Sequence, residues 1–143
     1  MKSINSFTMR VLSRSANESF ARVAVASFVA QLDPTLEELS DIKTAVSEAV
    51  TNSIVHAYKN TIGTIYISVD LYEDRSVKIK IRDTGTGIEN VEQAMQPLFT
   101  TVGGERSGLG FSVMQSFMDS LKVNSKMDKG TTIIMRKRLS VRI

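Results

Sequence analysis

Asp83-Thr84-Gly85-Thr86-Gly87 directly follows an alternating apolar/polar run, Val77 to Arg82. Two glycines one residue apart let the backbone turn sharply and approach a ligand closely. The aspartate at the end of that run presents a charged acceptor suited to a ligand amine or amide. A plain tight turn with an Asx contact has the same composition. Asp-Thr-Gly is also the triplet of aspartic proteases, but that chemistry belongs to almost all-β chains, and this one reads as heavily helical. Further on, Arg106-Ser107-Gly108-Leu109-Gly110-Phe111 leads into a helix. Free N–H groups and the positive dipole end make a helix start an anion site, and the glycines let phosphate come near. Arg106 lies just outside that helix, where charge on a transferring phosphoryl group would develop. Neither a Walker Gly-Lys-Ser/Thr nor G-x-G-x-x-G in a βαβ unit is present.

Glu48, Asn52 and His56 recur at i, i+4 and i+8, so on a helix they stand one above another. The apolar positions Val46, Val50 and Ile54 fall elsewhere. This row is either a site or the solvated side of a helix. His56 is the only histidine, so a zinc cluster is not indicated. Gly130-Thr131-Thr132 opens the last alternating segment. Its hydroxyls could orient Asp83 if the two strands are neighbours, although threonines are also ordinary strand residues.

The elements that must position these groups follow from periodicity. Phe7, Met9 and Val11 alternate within a strand over Ile4 to Leu12, and Ser15-Ala16-Asn17-Glu18 offers N-cap chemistry for a helix through about Leu32. Asp33-Pro34 breaks that helix. Thr35 with Glu38 makes a capping box for a second one, whose stripe Leu36, Leu39, Ile42, Val46, Val50 and Ile54 runs to about Tyr58. Ile65 to Leu71 and Val77 to Arg82 alternate as two strands of a hairpin across Tyr72 to Arg75. A glycine-punctuated stretch, Asp83 to Gly110, holds a short helix near Val91 to Met95, and a loop of that length is usually functional. A helix from Gly108 to about Ser120 and strands at Leu121 to Met127 and Thr131 to Arg138 complete the order. This predicts an α+β two-layer sandwich with helices on one face of a largely antiparallel sheet.

Composition narrows the function classes. The chain has 143 residues, 42% apolar and 23% charged, consistent with one domain over 1–143 that closes a core without staples. With no cysteine, a disulfide scaffold, a zinc-thiolate site and a cysteine nucleophile are excluded. The longest apolar stretch, Val23 to Ala30, is far too short to span a bilayer, and the first ten residues lack the apolar core of a signal peptide. A cytoplasmic protein without membrane contact is expected. The net charge is +3, with the excess late, at Lys126, Lys129, Arg136, Lys137, Arg138 and Arg142. No aromatic residues interleave that cluster, so a protective edge strand is favoured over direct DNA binding.

Taken in order, EAVTNSIVHAY (48–58), DTGTG (83–87), SGLGF (107–111) and GTT (130–132) resemble the N, G1, G2 and G3 boxes of the GHKL ATPase/kinase superfamily. The stretches NESFARVAVASFVAQLDPT (17–35), IKTAVSEAVTNSIVHAY (42–58), QPLFTT (96–101) and ERSGLGF (105–111) resemble more narrowly the anti-sigma factor serine kinases, nearest the sporulation anti-sigma-F group. The segment Val102-Gly103-Gly104-Glu105 is about one residue shorter than that family's usual lid. The superfamily resemblance spans nearly the whole chain.

The resemblance implies a Bergerat-type two-layer α/β sandwich with a mainly antiparallel mixed sheet, ATP lying between the helices and a lid. It implies that Asn52 holds Mg²⁺, that Glu48 accepts the proton of the attacking serine hydroxyl, and that Asp83 accepts the adenine amino hydrogen with Thr131 nearby. Gly85 and Gly87 would admit the nucleotide, Ser107, Gly108 and Gly110 would cradle phosphate, and Arg106 would stabilise γ-phosphoryl charge. The implied protein is an ATP-dependent serine kinase that sequesters a sigma factor, phosphorylates an anti-anti-sigma factor and forms a homodimer. Arg22, between Phe20 and Val23, is either a contact arginine for these partners or an ordinary exposed charge. Two rivals are a non-catalytic, nucleotide-gated sigma-binding module and a fragment of a two-component histidine kinase. The second fits poorly, because His56 lies inside the N box and not on a separate dimerising helical domain.

Overall fold

A computed structural model describes residues 2–95 and 110–141 of the chain. Strand β1 (Ser3–Leu12) leads to α1 (Ala16–Val29), closed by a 3₁₀ turn (Ala30–Leu32), then α2 (Leu36–Asn52), which passes into a π-helical turn (Ser53–Ala57). The hairpin β2 (Thr64–Tyr72) and β3 (Ser76–Asp83) follows, then the short α3 (Val91–Ala94), α4 (Phe111–Phe117), β4 (Ser120–Lys126) and β5 (Gly130–Arg138). The sheet order is β1-β2-β3-β5-β4, and all four pairings are antiparallel. The expected two-layer α+β sandwich is present, although its sheet is antiparallel throughout instead of mixed.

The two-residue strand period explains the layering. Ile65, Ile67, Val69 and Leu71 on β2 and Val77, Ile79 and Ile81 on β3 are buried, and the residues between them face outward. Asp83 continues the inward row of β3 and is 2% exposed. The strand that builds the core therefore also delivers a carboxylate beneath the helices. Opposite the sheet, α2 buries Ile42, Ala45, Val46, Ala49 and Val50, and α1 packs against it with Ala21, Val25 and Val29. Truncating one of the buried isoleucines to alanine would cost roughly 2–5 kcal/mol.

Helix starts differ from expectation in instructive ways. The Thr35 capping box forms: Thr35 Oγ1 accepts from the Glu38 N–H at 3.0 Å, and Glu38 Oε1 accepts from the Thr35 N–H at 2.9 Å. Ser15, by contrast, makes no side-chain cap because its own backbone is already helical. Leu36 is 88% exposed: at the first position of α2 it precedes the stripe that meets the sheet. Helix α4 begins at Phe111 and ends at Phe117, short of Ser120, where the backbone turns extended at Met118 to enter β4. The basic stretch from Arg136 to Arg138 is also not on an edge, since β5 lies between β3 and β4.

Candidate nucleotide site at the end of the second helix

The site forms where the C-terminal end of α2 crosses the ends of β3 and β5. Asp83 accepts three hydrogen bonds from the protein: Oδ1 takes the Gly85 N–H at 3.0 Å and the Thr131 N–H at 3.2 Å, and Oδ2 takes the Ser53 hydroxyl at 3.0 Å. Two ionised carboxylate oxygens offer about four acceptor positions, so one direction stays open to a ligand donor. Thr131 does support Asp83, but through its backbone N–H. Its hydroxyl is hydrogen-bonded to Ser125 at 2.7 Å, and Ser125 Oγ also accepts the Ile88 N–H.

The π turn sets how the glycine-rich loop docks. A π turn bonds i to i+5, as the Tyr58 N–H does to the Ser53 carbonyl at 3.1 Å, and so carries an extra residue. The Glu48/Asn52/His56 row predicted for an uninterrupted α-helix therefore ends at Asn52. The Ala57 carbonyl accepts the Thr86 N–H at 3.0 Å. A Cβ on Gly85 would run into that same carbonyl, so the loop lies against the helix end only because residue 85 is glycine. Gly87, with φ +78°, completes the turn beside Lys126. Tyr58 braces the loop from below: its hydroxyl accepts the Thr84 N–H at 2.8 Å and donates to the Thr64 carbonyl at 2.7 Å.

Just before the π segment, α2, which packs against α4, carries two polar groups one turn apart. Asn52 is 3% exposed, and its buried Oδ1 has no hydrogen-bond partner among the described residues. Glu48, half-buried, meets the N-cap residue of α4: Gly110 has φ +71°, and a Cβ there would collide with the Glu48 carboxylate. Glu48, Asn52, Asp83, Gly85, Gly87, Gly110 and Thr131 are thus brought to one region. Arg106, Ser107 and Gly108, with the segment Val102 to Glu105, lie outside the described residues. His56 contributes its carbonyl to the Thr86 hydroxyl at 3.3 Å. Arg22 is paired with Glu18 at 3.0 Å and lines a groove with Ser40, Lys43, Thr44, Ser47 and Glu48.

Ser53, Ser125 and Tyr58 are the supporting residues that motif reading passed over. A serine directly after the N-box asparagine was the available signal for Ser53: its backbone is still α-helical, one turn past the buried Ala49, and its hydroxyl meets Asp83.

Residues 12–137 match the family described as "Histidine kinase-like ATPase domain". An anti-sigma F factor of Clostridium acetobutylicum is 54% identical over 138 residues, 96% of each chain. The anti-sigma F factor of Caldanaerobacter subterraneus subsp. tengcongensis is 58% identical over 134 residues, 93% of each chain. Among solved structures, one of the RsbU and RsbW domains of a Mycobacterium tuberculosis protein superposes with a TM-score of 0.70 at 17% identity. It covers 96% of this chain and 33% of that one. The buried carboxylate, the helix-end asparagine and the glycine turns sit in a chain that belongs to the histidine kinase-like ATPase domain family and, within it, to the anti-sigma F factors.

Proposed function

We propose that the chain is an ATP-dependent protein serine kinase that sequesters a sporulation sigma factor and phosphorylates an anti-anti-sigma factor on serine, working as a cytoplasmic homodimer. The observation that carries this reading is the pair on α2: a buried Asn52 oxygen without a partner among the described residues, one turn from a Glu48 carboxylate held against Gly110. A buried acceptor left unpaired costs about 1–3 kcal/mol. An arriving cation or donor recovers that cost, so the amide oxygen is suited to a ligand.

The donor set fits Mg²⁺, a hard cation that takes oxygen ligands and keeps waters and phosphate oxygens as the rest of its shell. Asn52 would hold it, and when bound it offsets triphosphate charge. Asp83 accepts the adenine amino N–H at the acceptor position its three protein donors leave open. Glu48 accepts the proton of the substrate serine as its oxygen bonds to the γ-phosphorus and the bond to the β–γ bridging oxygen breaks. The roles of Arg106, Ser107 and Gly108 toward phosphate rest on their motif positions. The names of the anti-sigma F relatives support the sigma-factor partner.

The test is phosphate transfer from labelled ATP with Mg²⁺ to an anti-anti-sigma protein, with nucleotide binding followed separately. Labelling of a serine by the wild type, and binding without transfer in Glu48→Gln, is the expected result. If ATP binds but no anti-anti-sigma protein is labelled, the chain is a nucleotide-gated sigma-binding module and the kinase reading falls.

A further inference from the structure

The antiparallel register makes the outward face of the sheet readable residue by residue. In its three central cross-strand rows it carries six cations, Arg10, Lys78, Lys80, Arg82, Lys122 and Arg136, against one carboxylate, Asp70. Asp70 stands opposite Lys78, and on the other side of Lys78 stands Arg136. Like charges directly opposite across a strand pair destabilise the sheet. Among the described residues no ion pair relieves any of the six. Edge protection does not account for the pattern, because Lys78, Lys80, Arg82 and Arg136 lie on inner strands.

Three features select the occupant. Ile134, half-buried, lies between Lys80 and Lys122 in register, an apolar spot ringed by cations. An apolar centre with a charged rim is the anatomy of a protein contact, and a phosphate backbone offers such a centre nothing apolar. The aromatic side chain in these rows, Tyr66, is covered by the Arg82 guanidinium at 4.0 Å from the ring centroid, so it is closed to base stacking. A second copy presenting the same face would set cations against cations. We propose that the outward sheet face docks an acidic protein segment whose carboxylates surround one apolar side chain seated on Ile134. The nucleotide-site groups Asp83 and Thr131 belong to the opposite, helix-covered face, so this surface is separate from the proposed kinase centre.

The test uses the full chain and a synthetic helical peptide, rich in glutamate, with one central leucine. Amide chemical shifts are followed while it is added, in parallel with the same peptide carrying serine for leucine, a short DNA duplex, and phosphatidylserine vesicles. Shifts centred on β3 and β5 are expected, with affinity lowered about tenfold or more in Lys80→Glu/Arg136→Glu. Ile134→Ser should abolish the preference for the leucine peptide. ATP affinity should not change in these variants. Should the charge variant not fold, shift mapping on the wild type with the paired peptides decides alone. Shifts elsewhere or none at millimolar peptide, equal binding of both peptides, or tighter binding of the duplex or vesicles would each overturn the proposal. A change of oligomeric state in the charge variant would instead assign the face to a second copy and equally overturn it.

Discussion

Asp83 and Thr131 are register partners across β3 and β5, and the Thr131 backbone N–H reaches past the ladder to donate to Asp83 Oδ1 at 3.2 Å. With the Ser53 hydroxyl on Oδ2, the carboxylate is fixed before any ligand arrives. A buried polar group held this way costs no reorganisation on binding, which is the condition for selective recognition of an N–H.

Asp83→Asn tests that arrangement. The amide oxygen can still accept from Gly85 and Thr131, and the amide nitrogen can donate to Ser53, so the fold should persist. The group left for the nucleotide becomes a donor facing a donor. ATP affinity should fall about ten- to hundredfold, measured by calorimetry, with the circular dichroism spectrum retained. Ser53→Ala should cost about 1 kcal/mol of stability in denaturant unfolding, since it removes one donor to a buried carboxylate. Unchanged ATP affinity in Asp83→Asn would show that this carboxylate does not contact the base.

The parts of this molecule that were legible in the sequence are those written in periodicity. The inward row of β3 could be counted to Asp83, and the Thr35–Glu38 box could be read three residues apart. What stayed hidden depended on events that periodicity does not encode. The π turn at Ser53–Ala57 breaks a helical row at Asn52 and sets the Ala57 carbonyl where the Thr86 N–H meets it. The support from Thr131 comes from backbone, which any residue type provides. The strand order puts β5 inside the sheet, and the clustering of cations on one outward face emerges only from cross-strand register.

Asn52→Ala separates ligand binding from folding. Because Asn52 Oδ1 has no partner among the described residues, its removal leaves none of their donors behind. Stability of the nucleotide-free protein should shift by less than about 1 kcal/mol. Nucleotide affinity with Mg²⁺ should drop, and adding a chelator should weaken the wild type but leave the variant nearly unaffected. A variant that still gains affinity from Mg²⁺ would remove Asn52 from the metal role.

Glu38 provides an acid-sensitive tie between α2 and the segment after β5. Burial raises its pKa, but this is outweighed by hydrogen bonds from Thr35 and Ser140, and the net shift is downward from 4.5. The Ser140 N–H donates to Glu38 Oε2 at 2.7 Å. A pKa lower in the folded state means the contribution is complete above the unfolded value and is lost as pH falls through the folded one. Glu38→Gln turns one of the two acceptor oxygens into a donor facing an N–H, so it should melt below wild type at neutral pH, and the gap should narrow on acidification below about pH 4.5 as wild type loses its own contribution. Glu38→Ala should lose about 1 kcal/mol even at neutral pH, because the capping box itself is gone. Parallel acid limbs for wild type and Glu38→Gln in a thermal melt series would contradict this account.

Gly110→Ala examines the contact between α4 and the proposed general base. The left-handed backbone at φ +71° costs alanine about 1 kcal/mol, and its methyl would also enter the space held by the Glu48 carboxylate. Both stability and phosphate transfer should fall, transfer by about tenfold or more, because the carboxylate must swing away from the position it uses. Pairing the change with Glu48→Ala separates the two effects. Removing the carboxylate should restore part of the lost stability but not all of it, since the added methyl would still lie 2.9 Å from the Glu48 Cβ. A non-additive cycle of this sign in denaturant unfolding would place the two residues in direct contact. If the two losses instead add, Glu48 does not lie against the start of α4, and its place beside the transferred phosphoryl group loses its structural support.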